Sequence, residues 1–204
     1  MSEFDNRADD WDQNLMNLRR TEAIATALIS SVTISSKMTA LEFGAGTGLL
    51  SFILKDKFSE IVLMDNSKEM IRVTENKIAE SGNQNMKAIW IDLEKEDYTG
   101  QFDILFSQMV LHHVDNIDLI FNKFKALIKP GGYIAIADLY TEDGSFHGDG
   151  FTGHNGFEVD QLTHQLETAG FTDIITKPCF VIHRENENGE FKDYPVFLLT
   201  AVRN

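Results

Sequence analysis

Residues 41–51, LEFGAGTGLLS, constrain this chain more than any other segment: apolar residues run into Gly44, Gly46 and Gly48 and then into a second apolar stretch. A Gly-x-Gly-x-Gly turn between strand and helix allows φ > 0 and leaves no Cβ between the backbone and a ligand lying against it. The first N–H groups of the following helix lack intrahelical partners and point outward, so a polar group can be received there. The spacing narrows the ligand. A dinucleotide fingerprint, Gly-x-Gly-x-x-Gly, needs glycine at position 49, where Leu49 stands. A phosphate loop needs a lysine directly after its last glycine, and none occurs before Lys55. The turn therefore reads as a nucleoside site that is neither of the NAD kind nor of the triphosphate kind.

Four further segments follow in order. IVLMD ends a second strand in Asp65, KAIWID ends a third in Asp92, FDILFSQMVLHHV supplies a fourth strand with its exit loop, and LIKPGGYIAIAD supplies a fifth. With the glycine turn, these segments resemble the class I S-adenosylmethionine-dependent methyltransferases over roughly residues 40 to 140, within the small-molecule branch similar to ubiquinone and menaquinone biosynthesis enzymes. The resemblance implies a Rossmann-like α/β fold: a seven-stranded sheet of order 3-2-1-4-5-7-6, its last strand antiparallel, with helices on both faces. It also implies S-adenosyl-L-methionine as cofactor, S-adenosyl-L-homocysteine as product and a small-molecule acceptor.

Composition agrees with one domain and excludes some partners. At 204 residues the chain supports one well-cored unit. A net charge of -14 argues against nucleic acid, whose phosphates demand clustered Lys and Arg. The lone Cys179, the acidic MSEFDNRADDW start and the lack of any apolar run near the ~20 residues of a membrane span predict a cytoplasmic protein without integral membrane association, either monomer or homodimer.

Strand-like and helix-periodic segments alternate after residue 39, the pattern of a parallel sheet covered on both faces. The expected layout over residues 1–204 is an N-terminal helical arm or lid (1–38), a cofactor-binding core (39–140), an acceptor-side loop (141–157), and a C-terminal helix with a strand pair (158–204). Ile117, Ile120, Phe121, Phe124, Leu127 and Ile128 predict a helix over 116–128; Val159, Leu162, Leu166 and Ala169 predict another, stopped by Gly170. DIITKPCFVIHR and PVFLLTAVR read as strands joined by ENENGEFKDY, and Pro178, which lacks a ladder donor, places its strand at a sheet edge.

The resemblance assigns roles along the cofactor. Gly44, Ala45, Gly46, Thr47, Gly48 and Leu49 form the turn against it, and Glu42 organises the methionine end. Asp65 is placed to accept from both ribose hydroxyls, a role that charge assistance strengthens. Asn66, with Glu69 three residues on, matches a helix-capping pattern beside it. Asp92 and Leu93 are assigned to the adenine, Met70 to apolar packing, and Ser107 and Gln108 to the sulfonium side. Trp11 and Arg19 or Arg20 resemble an arm that closes over the cofactor, Trp11 by cation–π contact.

An acceptor that must lose a proton needs a base, and His112, His113, His147 and His154 are the candidates. His154, in the glycine-rich loop, and His113, in a Leu-His-His-Val segment that also reads as structural, are the expected catalytic residues. No metal is expected, because neighbouring side chains such as His112 and His113 diverge along an extended chain.

Overall fold

The computed structural model describes residues 5–185 and 189–204. A 17-residue helix α1 (Leu15–Ser31) precedes strand β1 (Thr39–Phe43); α2 (Leu49–Leu54), β2 (Glu60–Asp65), α3 (Lys68–Ser81), β3 (Met86–Trp90) and β4 (Phe102–Gln108) follow. Then come α4 (Ile117–Leu127), β5 (Ile128–Leu139), α5 (Val159–Ala169), β6 (Phe171–Glu185) and β7 (Phe191–Arg203). The seven strands form one sheet of order β3-β2-β1-β4-β5-β7-β6, as expected. β1 to β5 pair in parallel, and β7 runs antiparallel to both neighbours.

Strands covered on both faces must be apolar on both, and their alternation sorts the core into two layers. Leu41, Val62, Met64 and Leu105 point to one side, under Ile120, Phe121 and Phe124 of α4 and Leu162 and Leu166 of α5. Ala40, Ile61, Leu63, Ile104 and Phe106 point to the other, under Ile24 and Leu28 of α1 and Leu50 and Leu54 of α2. Truncating one such ring, as in Phe121→Ala, removes about 3–5 kcal/mol. The helix over α4 begins at Ile117 because Asn116 accepts the Leu119 N–H, and α5 ends where Gly170 takes φ 92.

Pro178 does lie in the edge strand, beside a bulge between Pro178 and Phe180. The expected hairpin connection is shorter than ENENGEFKDY, since Glu185 still pairs with Phe191; its residues 186–188 lie outside the described ones. The helix after β2 is capped by Ser67, whose Oγ accepts from the Met70 N–H at 3.2 Å, and not by Asn66. The reason is local. Asp65 Oδ1 accepts the Ser67 N–H at 2.8 Å and draws the chain one residue further before the helix starts. Among the described residues, no helix is long and apolar enough to cross a membrane.

Candidate active site

The carboxyl ends of β1, β2, β3 and β4 open into one cavity of about 510 Å³, within the roughly 300–1,000 Å³ of small-molecule and cofactor pockets. At one end the glycine turn sets the wall. Gly44 and Gly46 lie at φ 65 and 54, and a Cβ on Gly44 would stand 2.4 Å from Val110 Cγ1. The turn is pinned by its neighbours: Ala45 N donates to Met64 O, Gly46 N to Asp65 Oδ2 at 2.7 Å, and the Thr74 hydroxyl to Gly46 O. Asp65 thus spends at least one lone pair of each oxygen on the backbone, and its carboxylate still lines the cavity. Burial raises its pKa, while hydrogen bonds from Ser67, Gly46 and Asn66 hold it back.

Polar groups along this wall fit a ligand with a polar end. Gln108 Oε1 and Arg20 Nε belong to residues lining the cavity, and both atoms are buried without a hydrogen-bond partner. Burial pulls the Arg20 guanidinium down to about 10, against the attraction of Asp138. Met109, leaving β4, holds φ 55, a costly conformation for a side-chain-bearing residue, while its N–H donates to Ala137 O at 2.8 Å. Asp92 lies beyond the end of β3, which stops at Trp90; its Oδ1 accepts the Glu94 N–H and its Oδ2 pairs with Lys95 at 2.7 Å.

The far end is built from imidazoles. Leu111–His113 forms a tight 3-10 turn, so the rings of His112 and His113 do not diverge; their centroids are 4.3 Å apart. This corrects the expectation from adjacency, which holds for an extended chain. His147 arrives from the 141–157 loop, with its ring stacked on Phe151 at 3.9 Å and its Nε2 buried without a partner. Beneath them, Asp138 of β5 is fully buried and contacts His112 Nδ1 at 2.6 Å. Burial favours protonated Asp138, yet the charge and hydrogen bonds of His112 and the Leu139 and His112 N–H groups win, and its pKa is lowered. Burial and the neighbouring charges push His113 down to about 3 and His147 to about 4, so both rings are neutral near pH 7.

Among the expected residues, Trp11, Gly44, Ala45, Gly46, Asp65 and Asn66 line this cavity, as do Met70, Asp92, Leu93, Gln108 and His113. The others fall outside its lining. Gly48 and Leu49 begin α2, behind the turn. Thr47 instead fastens the arm: its hydroxyl donates to Asp12 Oδ1, and Lys77 bridges Asp12 Oδ2 and Thr47 O at 2.5 and 2.7 Å. Glu42 is wholly buried behind the wall and accepts from Ser51 N and Oγ; burial, only partly offset by these bonds, raises it to about 8. Ser107 is buried in β4. Of the two arginines, Arg20 and not Arg19 reaches the cavity, since Arg20 shares the α1 face with the buried Asn17, Thr21 and Ile24.

His154 does not line the cavity but touches two residues that do. Its Nε2 lies 3.0 Å from Val114 O, its backbone N–H donates to His112 O, and its ring packs on Phe157. It fixes the loop to the histidine turn, which the close approach of Gly153 permits: a Cβ there would be 2.3 Å from His112 O. Sequence reasoning missed Asp138, Arg7 and Arg184. Asp138 could have been noticed as an acid ending the otherwise apolar strand IAIAD.

A strand-turn-helix nucleoside wall at the carboxyl edge of a 3-2-1-4-5-7-6 sheet defines a Rossmann-like protein of the methyltransferase type. A family profile described as "Methyltransferase domain" matches residues 34–171, and the chain belongs to that class I, S-adenosylmethionine-dependent family. It is 28% identical over 154 residues to an uncharacterised methyltransferase of Schizosaccharomyces pombe, covering 67% of this chain and 54% of that protein. It is 34% identical over 108 residues to malonyl-[acyl-carrier protein] O-methyltransferase 2 of Ilyobacter polytropus, covering 50% and 41%. The chain spans about half the length of the curated relatives it matches. The solved phosphoethanolamine N-methyltransferase 2 of Haemonchus contortus, in complex with S-adenosyl-L-methionine, shares the fold at a TM-score of 0.73. It has 14% identity, with coverage of 100% of this chain and 60% of that one.

Proposed function

We propose that this chain transfers a methyl group from S-adenosyl-L-methionine to a small acceptor that carries an anionic group. One observation carries the reading: a single cavity joins the glycine turn and Asp65 to an end built from His112, His113, His147, Arg7 and Arg184. S-adenosyl-L-methionine, when bound, supplies a methyl carbon activated by its positive sulfur. The protein's part is alignment and exclusion of water.

Asp65 would accept from the ribose hydroxyls, with the lone pairs its backbone bonds leave free. Gln108 and Arg20 would take up the polar methionine end, which satisfies their buried orphan atoms. Asp92 or the Leu93 backbone would meet the adenine. The arm carrying Arg7, Trp11 and Asn17 lies over the cavity, with the Arg7 guanidinium 4.9 Å from the Trp11 ring centroid.

The acceptor's class follows from charge. The chain as a whole carries -14, so two arginines at one cavity end are a local reversal that favours a carboxylate or phosphate. Arg7 and Arg184 are near enough to His147 to help lower its pKa. The protein incubated with methyl-labelled S-adenosyl-L-methionine and cell extract is expected to place label in the low-molecular-weight fraction, on compounds retained by an anion exchanger. Label only in macromolecules, or nowhere, would overturn the reading.

A further inference from the structure

We propose that His112, His113 and His147 form a binding site for one divalent transition-metal cation of the zinc type, at the acceptor end of the cavity. One ring nitrogen from each of the three lies within 4.8 Å of the others. Ring centroids are 4.3 Å apart for His112 and His113, 5.0 Å for His112 and His147, and 5.2 Å for His113 and His147. Three imidazoles on a tetrahedral ion, with nitrogens at about 2.0–2.1 Å, place their centroids about 5 Å apart. The observed centroid triangle has that size, and the three nitrogens, now within 4.8 Å of one another, would close to about 3.3–3.4 Å on an ion.

The surroundings are those of a ligand set. Asp138 engages His112 Nδ1, so the nitrogen left to face a ligand is Nε2. A buried carboxylate behind a histidine is the outer partner that fixes tautomer and ring orientation in metal sites, and it supplies the negative charge that a cation beside Arg7 and Arg184 needs. His147 Nε2 is buried and has no hydrogen-bond partner, a cost that ligation would remove. The rings are also held before any ion arrives. Phe151 stacks on His147 with an interplanar angle of 16°, Phe146 meets its edge at 4.8 Å, and the His154 N–H clamps the loop onto His112 O. Three imidazole ligands leave a position open, as catalytic zinc sites do. All three residues line the cavity, so that position would open onto it. On the proposed function, the acceptor's anionic or lone-pair group fills it, which would orient the acceptor toward the methyl donor.

The test uses the full chain stripped with a chelator and then titrated with Zn²⁺ by calorimetry and with Co²⁺ by visible absorption. S-adenosylhomocysteine binding is measured on the same samples. One equivalent of metal per chain is expected, with intense visible bands from Co²⁺. His147→Ala is expected to abolish stoichiometric binding while S-adenosylhomocysteine affinity persists, and Asp138→Asn to weaken Zn²⁺ about 10- to 100-fold. No stoichiometric metal in the wild type, or unchanged metal affinity in His147→Ala, would overturn the proposal. Should His147→Ala lose S-adenosylhomocysteine as well, His147→Gln decides: weaker Zn²⁺ supports the site and equal Zn²⁺ refutes it. Metal binding without S-adenosylhomocysteine binding would sink the cofactor reading and leave the metal site standing.

Discussion

The two ends of the cavity are made differently. The heart of the nucleoside end is a continuous stretch of chain, Phe43 to Gly46, supported by the acid that closes the next strand. The acceptor end is assembled from Arg7, the turn after β4, Asp138 at the end of β5, His147 in a loop and Arg184 near the end of β6. A contiguous wall on rigid strand ends holds a shared cofactor in place, while a wall drawn from separate segments can change without disturbing it. On the proposed function, the first wall would fix the chemistry that can be brought and the second would decide where it goes.

That contrast breaks most easily at Gly44. Gly44→Ala forces a side chain into φ 65 and against Val110, and is expected to cost about 1–3 kcal/mol of backbone strain and a further ~1–3 kcal/mol of overpacking. Urea melts together with S-adenosylhomocysteine calorimetry should show both lower stability and lost binding; normal affinity would mean that the turn is not the nucleoside wall.

Glu42 tests the buried layer behind the wall. Its carboxyl is favoured protonated in the fold up to about 8 and ionises from its ordinary 4.5 once the chain unfolds. Its contribution to stability is therefore full below pH 4.5 and lost as pH rises through 8. Relative to wild type, Glu42→Gln is expected to gain stability across that window, reaching a few kcal/mol at pH 9. Parallel Tm-versus-pH curves for the two proteins would contradict the burial argument.

Asp65→Ala sharpens the comparison at the cofactor end. Losing charge-assisted hydrogen bonds worth about 1.5–3 kcal/mol predicts S-adenosylhomocysteine binding weaker by roughly 10- to 100-fold, with secondary structure retained by circular dichroism. The smallest effect belongs to His154→Ala. It loses the contact to Val114 O and the ring packing on Phe157, so about 1–2 kcal/mol of stability should go while S-adenosylhomocysteine affinity is unchanged within error. A large loss of that affinity would mean that the loop supports the nucleoside end as well.

The same contrast explains what the sequence made legible. The sheet order comes from the family resemblance, while the α4 and α5 faces, the Gly170 stop and the edge position of Pro178 rest on local periodicity and backbone rules; all are found. The turn and Asp65 were visible because contiguous residues carry them. Arg20 could not be told from Arg19 without the phase of α1, and the capping role of Ser67 was hidden by the pull of Asp65 on its N–H. His154 looked suited to catalysis by its place in the glycine-rich loop, but its ring nitrogen lies 3.0 Å from a backbone carbonyl, that of Val114. The histidine cluster was hidden for the opposite reason: a 3-10 turn and a loop 34 residues later bring three rings together, a matter of tertiary placement that no spacing rule reports.

A structure of the protein with S-adenosylhomocysteine bound tests the central claim most directly. The account predicts the ribose hydroxyls within hydrogen-bond distance of Asp65, the amino-acid end beside Gln108 and Arg20, and the sulfur directed toward the His112, His113 and His147 rings. A nucleoside lodged elsewhere, or a sulfur facing away from those three histidines, would contradict it.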